Sequence, residues 1–315
     1  FVSSDGVALT ETTFANNTAG GKGGGAYFVS SDGVALTETT FANNTAGGKG
    51  GGAYFVSSDG VALTETTFAN NTATESGGGA YFGSSKNAVL TETTFANNTA
   101  NDSGGGAAFG WSKNAVLTET TFANNTAGYA GGAYFESSDD VALTETTFAN
   151  NTANSGGGAY FDWSKNAVLT ETTFANNTAG YAGGAYFGFS DNAILTETTF
   201  ANNTATNNIG GGAYFDSSPG ATLTETTFAN NTKGGGAHFE RSNNVILTKT
   251  TFTGNTAESQ AVGGASFSNS ENVAITDCTF VENEAAGSGG ALNTKLVNNV
   301  QVERTTFTAN KAGQK

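Results

Sequence analysis

Read for its apolar positions, the chain moves in short alternations rather than in helical turns. Val7-Ala8-Leu9, Thr12-Thr13-Phe14 and Ala26-Tyr27-Phe28 each carry a core-compatible residue at every second place, the spacing of half-buried strands. Taking alternate residues as inward puts Val7, Leu9, Thr12, Phe14, Ala26 and Phe28 inside. The parity breaks between Leu9 and Thr12, which predicts a corner at Thr10-Glu11. A second corner is expected at Asn17, because asparagine tolerates a left-handed backbone and its amide can bond to neighbouring coils. The glycines at 23–25 supply a third.

The pattern then returns. Leu-Thr-Glu-Thr-Thr-Phe-Ala-Asn-Asn-Thr occurs nine times without change, first at 9–18 and last at 223–232. Its Phe is found at Phe14, Phe41, Phe68, Phe95, Phe122, Phe148, Phe174, Phe200, Phe228, Phe252, Phe280 and Phe307. An Asn follows three places later at Asn17, Asn44, Asn71, Asn98, Asn125, Asn151, Asn177, Asn203, Asn231, Asn255, Asn283 and Asn310. From each Gly-Gly-Ala alanine to the next such Phe is 15 residues in ten cases and 16 in the last, whereas from the Asn to the following alanine varies between 6 and 10. Length changes gather at one corner, as they do when strands must keep register with the coil below and one turn is free to bulge. The expectation is an all-β solenoid, a three-sided parallel β-helix with three strands per coil and about 12 coils of 24–28 residues. Like residues then stack into ladders about 4.8 Å apart. Leucine-rich repeats share the period, but they require Leu-x-x-Leu-x-Leu ahead of the Asn, and calcium-binding Gly-Gly-x-Gly-x-Asp repeats require an aspartate that is missing here.

Phe-Ala-Asn-Asn at Phe14–Asn17 and Gly-Gly-Ala at Gly24–Ala26 together resemble the repeat signature of the chlamydial polymorphic outer-membrane proteins. That resemblance covers essentially the whole chain and implies a right-handed β-helix of the autotransporter-passenger type, at a cell surface and acting as an adhesin. The family usually has an aliphatic residue after Gly-Gly-Ala; Tyr27, Tyr54 and Tyr81 stand there instead, and Leu292 conforms.

Composition narrows the picture. Forty-five glycines with one proline exclude collagen, and 24 phenylalanines argue against disorder. A formal charge of −15 makes nucleic acid an unsuitable partner. No apolar run is long enough to span a bilayer as a helix. Cys278 is the single cysteine; it replaces a Thr of the repeat and reads as a small buried residue rather than a reactive thiol. Two stretches are expected within one solenoid, near-identical coils over 1–232 and divergent coils over 233–315. Phe1 opens in mid-repeat, so the array is expected to continue before it.

Function should lie on the outward columns. Glu11, Glu38, Glu65, Glu92, Glu119, Glu145, Glu171, Glu197 and Glu225 form a carboxylate file, read either as a solvated corner or as a cation edge suited to Ca²⁺. No other cofactor is expected. Asn16, Asn43, Asn70, Asn97, Asn124, Asn150, Asn176, Asn202 and Asn230 open Asn-x-Thr glycosylation sequons, and Asn101 opens another in the variable loop, where a sugar has most room. The Thr columns give poor ice-binding geometry, since Thr10 and Thr13 fall on either side of a corner. The Tyr27 column is read as an outward aromatic stripe for sugar stacking or lateral packing. Trp111 and Trp163 occupy matching places beside Lys113 and Lys165 as a small patch, and His238 takes a Tyr slot. Identical coils suit avidity better than a single reaction, so the chain is expected not to be an enzyme. The function expected is an extracellular structural solenoid, a fibre or adhesin stalk. It would associate with itself and contact a surface carbohydrate or protein. An adhesin passenger with a specific ligand and a polysaccharide-active β-helix are the alternatives.

Overall fold

Each coil turns its backbone by one local device, used three times. An inward apolar residue is followed by an outward one, then by a residue in left-handed conformation, then by a small polar residue that points back into the tube. In the second coil these quartets are Phe28-Val29-Ser30-Ser31, Leu36-Thr37-Glu38-Thr39 and Phe41-Ala42-Asn43-Asn44. Ser30, Glu38 and Asn43 have φ of 51°, 49° and 55°, and Ser31, Thr39 and Asn44 are fully buried. The left-handed residue is what shifts the alternation by one and keeps the next strand's apolar side inward.

This corrects one expectation. The left-handed asparagine is Asn16 and its successors (φ 54–57°), while the series starting at Asn17 lies inside the tube wherever a further coil covers it. The side chain in left-handed backbone points outward here. The next one points inward, where a carboxamide can satisfy the coils on both sides.

The computed structural model describes residues 1–258 and 262–313. Three long parallel sheets form the walls. A 12-stranded Leu sheet runs from Ala8–Thr10 to Asn298–Glu303, and a 12-stranded Phe sheet from Thr13–Ala15 to Thr306–Thr308. An 11-stranded Tyr sheet runs from Ala26–Val29 to Leu292–Lys295. The Leu and Phe sheets continue through 232–233 without a break. A fourth, short segment beginning at Thr18–Ala19 was not foreseen. It pairs in separate sets of four, three and three strands, interrupted where the glycine-rich corner changes length. At that corner Gly23 has φ 67°, but the Gly-Gly pair is needed for proximity instead. A Cβ on Gly52 would sit 2.6 Å from the Gly79 carbonyl oxygen and 2.9 Å from the Phe68 ring.

Register is one residue to its own copy: Leu9 faces Leu36, Phe14 faces Phe41, and Phe28 faces Phe55. The Phe rings therefore pile up at the rung spacing, as with Phe41 and Phe68 at 4.7 Å and 3°. The pile runs without interruption from Phe14 to Phe307. A second pile starts at Phe1 and ends at Phe267, whose next-coil partner is Thr294. Most of these rings have no exposure, so each contributes roughly 1.5–3 kcal/mol through burial. Cys278 sits in the Thr39 ladder, 1 % exposed, its thiol directed at the Thr276 carbonyl.

Candidate functional site

The outward columns are fixed by the same corners. All nine glutamates of the Leu–Phe corner are exposed and hold φ of 48–51°, a conformation that costs a non-glycine residue about 1–2 kcal/mol. Their backbone N–H groups tie each corner to the next coil; that of Glu38 donates to the Thr64 carbonyl at 3.0 Å. The file ends in alternating charge. Lys249 Nζ lies 2.9 Å from Glu225 Oε1, and Arg304 holds Asp277 through Nε at 2.7 Å and Nη2 at 3.1 Å. Among the described residues no group of three or more His, Cys, Asp and Glu is close enough to hold a metal ion. The glutamate file, read as a solvated corner or a cation edge, thus has single carboxylates in line and, among the described residues, no cage of ligands.

The sequon asparagines from Asn16 to Asn230 are exposed at the left-handed corner. They are stacked one per rung, so neighbouring acceptors are about 4.8 Å apart. Asn101 is also exposed, outside that stack.

The Tyr sheet departs most from the expected picture. Only Tyr27, in an end coil, is exposed as an outward stripe would be (39 %); Tyr54, Tyr81 and Tyr214 are 5–6 % exposed. The glycine-rich corner folds over the column. Lys22 and Lys49 bring their ammonium groups to 5.1 and 4.4 Å from the Tyr54 and Tyr81 ring centres. Farther along, acids appear two residues after the Tyr slot, on the same outward face. Tyr134 donates to Asp162 at 3.0 Å, Tyr186 to Asp216 at 3.3 Å, and Tyr214 to Glu240 at 2.8 Å. Burial, reinforced by these carboxylates, pushes the phenols of Tyr134, Tyr186 and Tyr214 above the usual tyrosine range. Burial likewise raises the carboxyls of Glu136 and Asp162.

His238 closes this file. Its Nε2 lies 4.0 Å from Glu240 Oε2, and burial lowers it to about 4 despite Glu240 and Asp216 beside it. The ring is therefore neutral at pH 7. Arg241 pairs with Asp216 and, at 2.8 Å, with Glu240. Reading His238 as a mere occupant of the Tyr slot missed this cluster. The signal was available in Tyr-Phe-Glu, Tyr-Phe-Asp and His-Phe-Glu, where the early coils have Val or Gly in the third place.

Beyond His238 the slot shrinks to Ser266 and Asn293, and a cavity of about 460 Å³ opens over the sheet. Asn207 and Asn208 wall it from the strand Thr204–Ile209, and Glu240 and Lys295 border it. The aromatic patch lies on another edge. Trp111, Trp163 and Phe189 take the left-handed place that Ser30 holds in its coil, and Trp163 stacks on Phe189 at 4.5 Å. Lys113 and Lys165 beside them are paired with Asp139 and Asp191.

The sequence matches the family described as a right-handed β-helix region over residues 24–196 and 181–314, and the chain belongs to that family. No curated protein matches it by sequence. Among solved structures it is similar to PfbA, a surface adhesin of Streptococcus pneumoniae, with TM-score 0.50 and 9 % identity over 87 % of this chain and 83 % of that one. The periplasmic alginate epimerase AlgG gives TM-score 0.54 and 10 % identity over 97 % of this chain and 74 % of that one. The catalytic unit of a GH87 α-1,3-glucanase from Streptomyces thermodiastaticus gives 0.52 and 11 % over 99 % and 65 %. At these identities the likeness is one of fold. It still corrects one expectation: the same coil carries an epimerase and a glucanase, so repetition of the units does not exclude enzymatic activity. The file from Tyr134 to Arg241 also supplies the distinct acids and bases that uniform coils lack.

Proposed function

We propose that the chain is a rigid surface stalk of the adhesin type, displayed outside the cell. The observation that carries this reading is the register: nine unchanged decapeptides stack so that each outward residue recurs on every rung. A surface repeated about every 4.8 Å favours multivalent contact, and its stiffness comes from the walls of the tube. The shared fold with a pneumococcal surface adhesin supports the reading, as does the resemblance of Phe-x-x-Asn and Gly-Gly-Ala to polymorphic outer-membrane repeats. Self-association by end-to-end stacking would extend the rod. Negative-stain imaging tests this: straight rods about 5–6 nm long, or multiples of that length, are expected. Flexible or globular particles would overturn it.

A polysaccharide-active reading is favoured by one observation, the desolvated file of tyrosines and carboxyls that ends at His238 and Glu240 beside a cavity. New reducing ends or altered uronate residues after incubation with neutral and acidic polysaccharides would support it. Unchanged polymers across that panel would remove it.

A further inference from the structure

From the cavity above His238 and Ser266 we infer a binding site for a short neutral saccharide, one or two sugar rings long. This names a ligand and a place for the adhesin reading and rests on it, but the two are separately testable. The cavity exists because the column changes residue. Tyr214 is succeeded in register by His238, Ser266 and Asn293, so the volume that tyrosine rings fill in earlier coils is left open. At about 460 Å³ it lies in the range of small-molecule sites, roughly 300–1,000 Å³.

Its lining sets amides and hydroxyls beside the apolar side chains of Ile209 and Val262. Asn207, Asn208, Asn269 and Asn293 each present an acceptor beside a donor, and Ser266 and Ser268 add hydroxyls that do both. Adjacent sugar hydroxyls need that pairing. Charge points the same way. Glu240 already accepts from Tyr214 and Arg241, and Lys295 is the single ammonium on the rim in a chain of net charge −15. The lining therefore balances one carboxylate with one ammonium and offers an acidic sugar no net counter-charge.

The same wall carries a polar atom without a partner. Among the described residues, Asn208 Oδ1 is the one buried side-chain oxygen or nitrogen without a hydrogen-bond partner. Such an acceptor costs about 1–3 kcal/mol until an O–H reaches it. Asn208 is held there by left-handed backbone at φ 65°, in the strand Thr204–Ile209. His238 faces the same space as a neutral ring, able to donate from one nitrogen and accept at the other.

The experiment is saturation-transfer NMR with maltose, cellobiose and lactose as neutral probes and digalacturonate as the acidic one. At least one neutral disaccharide is expected to bind. Ser266→Tyr restores the residue that earlier coils use and refills the cavity, so it should fold and weaken binding by about tenfold or more. No binding of the neutral probes, binding of digalacturonate alone, or binding unaffected by Ser266→Tyr would each overturn the inference. The rods seen by imaging are unaffected by Ser266→Tyr, so a failed saccharide test leaves the stalk to be judged by its own measurement.

Discussion

Asn44 donates from Nδ2 to Asn71 Oδ1 at 3.0 Å, and its backbone N–H donates to the same oxygen at 3.0 Å. The two residues stand on successive rungs, and Asn71 in turn donates to the Phe41 carbonyl at 2.9 Å. The Asn71 carboxamide thus serves an N–H and a C=O of the preceding coil and donates onward to Asn98 Oδ1 of the next, in a place water does not reach.

Asn71→Ala takes the acceptor from the Asn44 backbone N–H and one hydrogen bond each from Asn44 Nδ2, which keeps the Phe14 carbonyl, and from the Phe41 carbonyl. The expected cost is about 3 kcal/mol, read as a lower urea midpoint. Asn17→Ala, in an exposed end coil, should cost far less. Equal effects would mean that the buried ladder is not what holds the corner.

Gly79→Ala places a Cβ 2.6 Å from the Gly106 carbonyl oxygen and 2.8 Å from the Phe95 ring. Backbone and a stacked ring cannot both yield, and a loss of about 2–3 kcal/mol is expected in the same denaturation measurement. Gly60 offers the comparison: it has φ 68° but nothing within 4 Å of its Cβ, so Gly60→Ala should cost about 1 kcal/mol through conformation alone.

His238 makes stability depend on pH. Its folded value, about 4, lies below the ordinary 6.5, so the unfolded chain takes up a proton first. The contribution is complete above pH 6.5 and is lost as pH falls toward 4. Against Glu240 and Asp216, which face it and oppose the shift, burial prevails. His238→Tyr should flatten the part of the stability curve between those limits. An unchanged profile would place the titration elsewhere.

Cys278 should resist modification. Burial raises its thiol above the usual range, and its neighbours are the carbonyls of Leu247 and Thr276. Iodoacetamide at pH 8 is expected to label it only in denaturant, followed by mass spectrometry. Labelling of the native protein would show that the coil around Thr250 and Thr279 opens.

Much of the fold could be read from residue order. The Phe14 and Phe28 series, the corner at Thr10-Glu11 and the one variable corner each leave a mark in spacing, because a β-solenoid repeats locally. The roles of Asn16 and Asn17 could not be separated that way. Both suit left-handed backbone, and which one turns inward depends on the coil above. Burial of the Tyr column was hidden for a similar reason, since Lys22 and Lys49 reach rings in other coils.

The amino-acid order by itself determined the period, the parity of each strand and the identity of the stacked residues, since these follow from alternation and the rung spacing. Only the three-dimensional arrangement decided which outward groups lose water. Burial on the Tyr sheet depends on how a glycine-rich corner folds across neighbouring rungs, and the same packing sets His238 and Glu240 beside an open cavity. A desolvated charge responds to all its surroundings, and no single repeat contains them.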